Sequence, residues 1–242
     1  MKFIKIDNRE IEYDIIRTNR KKTIGIQIDP DEGVIVRSPK RVSDQDIEDL
    51  LKRKSKWIIR KMDEMAKIKE APEAKNFVSG EEFLYLGRKY KLLLSEDRSL
   101  EKAYVKLSEN KIKLSYNPDI DNGDRKQFIR AEIIKWYYQE FGDILLDRIE
   151  KFQPQIGKSP LKIRIKNQKK RWGSCSSKGN LNFNWKLIMA PIDIIDYLVV
   201  HEMVHLIHPN HSRDFWNKLA SIIPDYKERQ EWLKINQRLL NL

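Results

Sequence analysis

All four histidines of this 242-residue chain fall in one short run, His201-Glu202-Met203-Val204-His205-Leu206-Ile207-His208-Pro209-Asn210-His211. The run opens with H-E-x-x-H, a spacing that sets two imidazoles on one helix face, a turn apart, where they can share a metal ion. Glu202, beside the first imidazole, is placed to activate a water molecule. Three fixed residues in five positions recur by chance, so the residues beyond the motif decide its meaning.

A catalytic zinc site needs three protein ligands and one open position. His208 shares a face with His201 if the helix continues, yet seven residues of rise part their backbones by roughly 10 Å. Pro209 disfavours helical geometry at His208 and removes a backbone donor, so the helix is expected to end there and the chain to double back. That makes His201, His205 and His211 the expected Zn²⁺ ligands and Glu202 the expected base. The spacing H-E-x-x-H-x5-H is that of metzincins, but His208 replaces their glycine and no methionine after Met203 can form a Met-turn. Glu228 or Glu231, further on, is the alternative third ligand, a gluzincin-like solution. His208 reads otherwise as a helix C-terminal residue facing the dipole. Arg213, Tyr226 and His208 are the candidates for stabilising an oxyanion. Three neutral ligands leave zinc its charge, which lowers the pKa of water toward ~7, and Glu202 then carries a proton to the leaving amine.

Periodicity gives the elements that carry these groups. Ile194, Leu198, His201 and His205 are spaced 4, 3 and 4, and apolar residues cover the other sides too, as in a helix buried within a domain. Pro191 suits its first turn and Ile192 to Ile207 its body. Ser212 to Ile223 and Asp225 to about Leu240 read as shorter helices separated by Pro224. Upstream, Leu161 to Ile165 and Asn180 to Met189 read as strands, with a loop through Trp172-Gly173-Ser174-Cys175. The strand from Asn180 to Leu187 is a candidate edge for pairing with an extended substrate. Trp172, Phe183 and Trp185 read as packing residues, Cys175 as an inert thiol, and Phe215 and Trp216 as anchors of the turn that aims His211.

The first half alternates apolar and polar residues in strand fashion. Thr23 to Ile28 and Gly33 to Arg37 form one expected hairpin about Asp29-Pro30-Asp31-Glu32-Gly33. Two more are expected, Phe83–Leu86 with Lys89–Leu94 about Gly87-Arg88, and Ala103–Leu107 with Lys111–Tyr116 about Glu109-Asn110. Ser43 and Asp46 resemble a capping box opening one helix over 44–69. A polar break from Asn117 to Asp124 precedes a long helix marked by Phe128 to Ile149. The boundary is expected near Pro118, giving domains 1–118 and 119–242, and no internal repeat is evident. The fold class expected is α+β, a β-rich N-terminal region with one long helix followed by a C-terminal domain with a short sheet and the H-E-x-x-H helix.

Composition bounds the rest. One cysteine excludes an internal disulfide and any cysteine-pair metal site. No signal-like segment or apolar run of membrane-spanning length is present, so a cytoplasmic protein with no membrane partner is expected. A net charge of +12 makes nucleic-acid proximity conceivable, with Arg17–Lys22, Lys52–Lys61 and Lys166–Arg171 the densest basic stretches. No phosphate-cradling glycine loop occurs.

Four blocks carry a resemblance: Lys170-Arg171-Trp172-Gly173-Ser174-Cys175-Ser176, Asn180-Leu181-Asn182-Phe183-Asn184-Trp185, Val200 to Leu206, and His211-Ser212-Arg213-Asp214-Phe215-Trp216. In order and spacing the chain resembles the YgjP-like metallopeptidases, zincin-like proteins akin to the WLM and SprT-like proteases. The resemblance implies a zincin-like domain, a zinc-dependent peptidase acting on peptide or protein substrates, His201, His205 and His211 as ligands, and Glu202 as base. One branch of that family is credited with nucleoside-triphosphate pyrophosphatase activity, which is the alternative enzyme reading. A DNA-associated protein with a structural zinc is the non-enzymatic one.

Overall fold

The computed structural model describes residues 2–6, 9–29, 31–120 and 123–242. Pro30, inside the turn expected at 29–33, and residues 121–122, inside the break expected before the long helix, lie outside the described residues. The described residues form an α+β fold of three small sheets and six α-helices. Among them no helix is long and apolar enough to cross a membrane.

The chain divides into two compact units, Met1–Glu70 and Ala71–Leu242. In the first, β1 (Lys2–Ile6) pairs antiparallel with β2 (Arg9–Thr18), and β3 (Gly25–Asp29) pairs antiparallel with β4 (Gly33–Pro39). The hairpins join through parallel pairing of β2 with β4, giving the order β1-β2-β4-β3. Alternation sends Ile11, Tyr13, Val34 and Val36 to one face, where they bury with Ile47, Leu51 and Ile58. Those last residues come from two helices, α1 (Asp44–Arg53) and α2 (Ser55–Ala66), rather than the single helix expected over 44–69. The capping box at Ser43 and Asp46 is present, with N–H to side-chain oxygen distances of 3.1 and 3.3 Å. The break is one residue wide. Lys54 leaves helical geometry at φ −96°, ψ 9°, while its N–H still donates to Leu50 O and its carbonyl accepts from Ile58 N–H.

The second unit repeats the plan. β5 (Glu82–Tyr85) and β6 (Arg88–Glu96) form one hairpin, β7 (Tyr104–Ser108) and β8 (Lys111–Tyr116) another. Parallel pairing of β6 with β8 gives the order β5-β6-β8-β7, the same strand path as in the first unit. A repeat is therefore visible in topology where none was evident in sequence, because strand order depends on pairing rather than on residue identity. A helix again follows, α3 (Arg125–Ile156), which Asp124 caps by accepting from Gln127 N–H and Gly157 closes in the left-handed region. Ile129, Ile133, Tyr137, Phe141, Leu145 and Ile149 recur every three or four residues along it and are buried in one core with Phe83, Leu92, Leu114 and Tyr116. That shared core explains why the compact units meet at 70/71 rather than near Pro118. The strands before residue 117 and the helix after residue 124 thus share one core.

The rest of the unit is a three-stranded sheet and three helices. β9 (Lys162–Lys166), β10 (Gly173–Cys175) and β11 (Asn180–Asn184) take the order β10-β11-β9, antiparallel on one side of β11 and parallel on the other. Trp185–Met189, expected to extend the strand, coil instead into a 3-10 turn, with Asn184 Oδ1 accepting from Lys186 N–H. Helices α4 (Ile192–Val204), α5 (Arg213–Ile222) and α6 (Tyr226–Asn236) complete the fold. The β5–β6 turn is Leu86-Gly87, one residue earlier than expected, and both residues have positive φ, the twist a two-residue hairpin needs. Its N–H groups donate to Ile188 O and Met189 O, at 2.8 and 3.1 Å, anchoring the hairpin to the turn that leads into α4.

Candidate metal centre

Pro191, expected in the first turn of α4, is instead its N-cap, with ψ 151° outside helical geometry and its carbonyl accepting from Ile194 and Ile195 N–H. A Cβ on Gly87 would stand 2.7 Å from Pro191 Cγ, so only glycine lets the hairpin approach so closely. From Ile194 to Val204 every residue except His201 is buried, as the all-round apolar pattern predicts. The α-helix ends at Val204 rather than Ile207. Leu206 and Ile207 bond back three residues, to Met203 O and Val204 O, tightening the last turn. Lys158 Nζ satisfies Leu206 O at 2.8 Å, and Pro209 then prevents any continuation.

This turn brings the third histidine back. One ring nitrogen from each of His201, His205 and His211 lies within 4.8 Å of the others, and His211 Nε2 is 3.1 Å from His201 Nε2. Tetrahedral zinc with Zn–N near 2.05 Å separates its nitrogen ligands by about 3.3 Å, so the set fits such an ion. Among the described residues Glu228 and Glu231 do not join the group: Glu228 is exposed and Glu231 pairs with Lys234 at 3.5 Å. Burial, with His205 and His211 alongside, lowers His201 to about 3, and burial also lowers His205. Both imidazoles are therefore neutral at pH 7, the form that offers a lone pair.

His208 contributes through its backbone. Its carbonyl lies 3.1 Å from His205 Nδ1, so the ring donates there and turns Nε2 toward the cluster. This replaces the helix-dipole role expected for it, and the signal was Pro209, which takes that carbonyl out of helical register. His201 Nδ1, by contrast, is buried without a hydrogen-bond partner among the described residues. Beneath all three rings lies Phe215, fully buried, with centroids 4.9, 4.5 and 4.7 Å from His201, His205 and His211. Trp216 stacks on His211 at 5.4 Å, and Tyr226 stacks on Trp216. Ser212 caps α5 by accepting from Phe215 N–H, which fixes both aromatics one turn after His211. Of the oxyanion candidates, Arg213 is exposed on the first turn of α5 and Tyr226 is engaged in that stack. Tyr197, not singled out in the sequence, packs edge-on to His201 at 5.8 Å, and burial with Glu202 nearby pushes its hydroxyl up to about 12.

Glu202 is 5% exposed and faces away from bulk water, toward β10. A Cβ on Gly173 would lie 2.6 Å from Glu202 Oε1 and 2.7 Å from its Cγ. The glycine of the Trp-Gly-Ser-Cys block is thus the floor under the carboxylate. Its φ is not in the left-handed region, so space alone demands glycine there. Burial raises Glu202 to about 8 against the opposing pull of Arg171, a proton affinity suited to exchange near neutrality.

Gly173–Cys175 of the block expected to be a loop form strand β10, one of the two outer strands of its sheet. β11, expected to be the edge, is central. Its alternating asparagines hold the neighbouring chain: Asn182 donates to Ser174 Oγ, and Asn184 donates to Gln168 O and Arg171 O. Phe183 and Trp185 are buried, with Trp185 stacked on Tyr137 and Tyr138, and Trp172 packs against the same core. Cys175 is half-buried and outside the histidine group, and burial, then Glu202, pushes its thiol up, as for an inert cysteine.

Among solved structures, the crystal structure of the metallopeptidase zymogen of Pyrococcus abyssi abylysin is similar, at 24% identity and a TM-score of 0.36, over 39% of this chain and 97% of that one. No curated protein matches. The family model described as YgjP-like, metallopeptidase domain, matches residues 22–236, which take in most of both units and every group of the site. The chain belongs to the YgjP-like metallopeptidase family.

Proposed function

We propose that this protein is a zinc peptidase in which His201, His205 and His211 hold the ion and Glu202 is the general base. The observation that carries this is the convergence of three imidazoles on one point, next in sequence to a buried carboxylate. Bound zinc supplies Lewis acidity, which makes water nucleophilic near neutral pH and polarises a carbonyl. Glu202 accepts the proton of the attacking water on a carboxylate oxygen and hands it to the departing amine nitrogen. Gly173 keeps that carboxylate in place from below, and the His208 carbonyl keeps the His205 tautomer that leaves Nε2 free to ligate. β10, with its outer side unpaired in the sheet, is the strand along which an extended peptide can align.

The test is Glu202→Gln, which preserves shape and removes the base. It is expected to retain one zinc per chain by elemental analysis and to lose about 10²–10⁴-fold in peptide hydrolysis. Hydrolysis at the parental rate would remove Glu202 from the mechanism. Nucleoside triphosphates are assayed alongside peptides, with and without chelator, because the same residues could serve a phosphoanhydride.

A further inference from the structure

A pocket of about 330 Å³ adjoins the edge strand. Lys169, Lys170, Arg171, Lys186 and Arg238 line it with Gln168 and Trp172, and no acidic residue does. With 36 acidic residues in 242, twelve lining positions would ordinarily include about two. Lys169, Lys170 and Lys186 make no ion pair among the described residues, and Lys186 donates instead to Asn241 Oδ1 at 2.6 Å. This is a concentration of positive charge with no carboxylate in its lining to neutralise it, and clustered like charge held in a concave wall favours an anionic ligand.

The wall is a built one. Asn184 donates from its side chain to Gln168 O at 2.8 Å and to Arg171 O at 3.3 Å, and from its backbone to Trp172 O at 2.8 Å. The loop bearing three of the cations is therefore clamped to the central strand of the sheet. It also runs directly into β10, since Arg171 and Trp172 immediately precede Gly173, the residue under Glu202. A peptide aligned along β10 and continuing past its N-terminal end crosses this pocket within about four residues, at ~3.3 Å per residue.

We propose that this pocket is a specificity subsite that receives an acidic side chain of the substrate, within four residues of the bond cut and on one side of it only. The inference rests on the peptidase reading above and names its substrate class. Two observations favour a peptide over a nucleic acid. Trp172 is the single aromatic residue in the pocket's lining and is partly buried against the core, so no succession of rings for stacking bases is offered. The pocket also lies beside β10, outermost in its sheet, whose N–H and C=O groups match an extended peptide backbone, whereas a phosphodiester has no donor for the carbonyls.

The experiment walks a single Glu, Lys or Ala through quenched fluorescent peptides of one length, with the zinc-loaded full chain as enzyme. Glu at one or more positions on one side is expected to raise kcat/KM about tenfold over Lys, mainly through KM. The double variant Lys169→Glu/Lys170→Glu is expected to reverse that preference with an unchanged Tm. In parallel, Glu202→Gln is titrated with the labelled Glu peptide by anisotropy, with a dT oligonucleotide and ATP as competitors. Cleavage with no one-sided acidic preference overturns the subsite. Binding of the Glu peptide that charge reversal abolishes sustains it, even if no peptide is cleaved and the peptidase reading fails. Oligonucleotide or ATP binding tighter than the peptide and equally lost on charge reversal overturns it in favour of a phosphate ligand.

Discussion

Gly173→Ala isolates the contact between the edge strand and the base. The added methyl would stand 2.6, 2.7 and 2.9 Å from Glu202 Oε1, Cγ and Cδ, where ordinary contacts lie near 3.5–4.0 Å. Gly173 has no positive φ, so alanine fits the strand backbone and the cost falls on Glu202 alone. The carboxylate must withdraw by roughly 1 Å, a displacement that can cost about 10²-fold in rate. Overpacking of this kind destabilises by about 1–3 kcal/mol, partly offset by the ~0.5 kcal/mol that alanine gains through the unfolded chain. For a unit of this size the net loss lowers Tm by roughly 1–10 °C. The three histidines are untouched, so zinc stoichiometry is expected to hold while peptide hydrolysis falls. Repeating the change in a Glu202→Asp background, where the side chain is one methylene shorter, is expected to recover most of the lost stability. A Gly173→Ala chain with near-parental kcat/KM, or equal destabilisation in both backgrounds, would refute the contact as drawn.

The same geometry leads to further outcomes. His208→Ala is expected to keep bound zinc and most activity, because the carbonyl and not the imidazole meets His205; metal loss in this variant would return the side chain to the ligand set. Phe215→Ala is expected to cost about 3–5 kcal/mol by thermal denaturation and to weaken zinc affinity measured by chelator competition, since the ring supports all three imidazoles. In the first unit, the Lys2 ammonium hydrogen-bonded to Asp44, with Arg17 alongside, holds that carboxyl below the usual carboxylate range. A depressed folded-state pKa stabilises above the unfolded value near 3.9 and stops doing so as pH falls through the lower one. Asp44→Asn is therefore expected to destabilise that unit at pH 7, with the difference shrinking as pH falls through the lowered folded-state value, by denaturant titration; a pH-independent difference would discount the pairing.

The histidine spacing and Pro209 made the cluster legible, because helix rise and proline sterics act locally. Much of what surrounds it was not. The polar stretch at 117–124 has the composition of a linker, and only the membership of Leu114, Tyr116, Ile129 and Ile133 in one core shows that the residues on either side of it belong together. Three residues, Gly173–Cys175, are too few for periodicity to mark a strand, and their place at the sheet's rim is set by pairing with β11. Gly173 itself resembled a turn glycine, since nothing local signals that a carboxylate from a helix some thirty residues on will lie against it. Asn182 and Asn184 give no local sign of their partners, and Ser174, Gln168 and Arg171 emerge as such only once the sheet is assembled.

Helix α4 is enclosed by α3, α5, α6 and β10, and two of those helices come after it in the chain. During vectorial synthesis the first two histidines emerge before the third, and the residues that enclose the helix emerge later still. A competent centre thus arises only after the hydrophobic core has closed over it. For a peptidase this ordering carries protection, because the segments that enclose the helix have already left extended form when the site becomes competent.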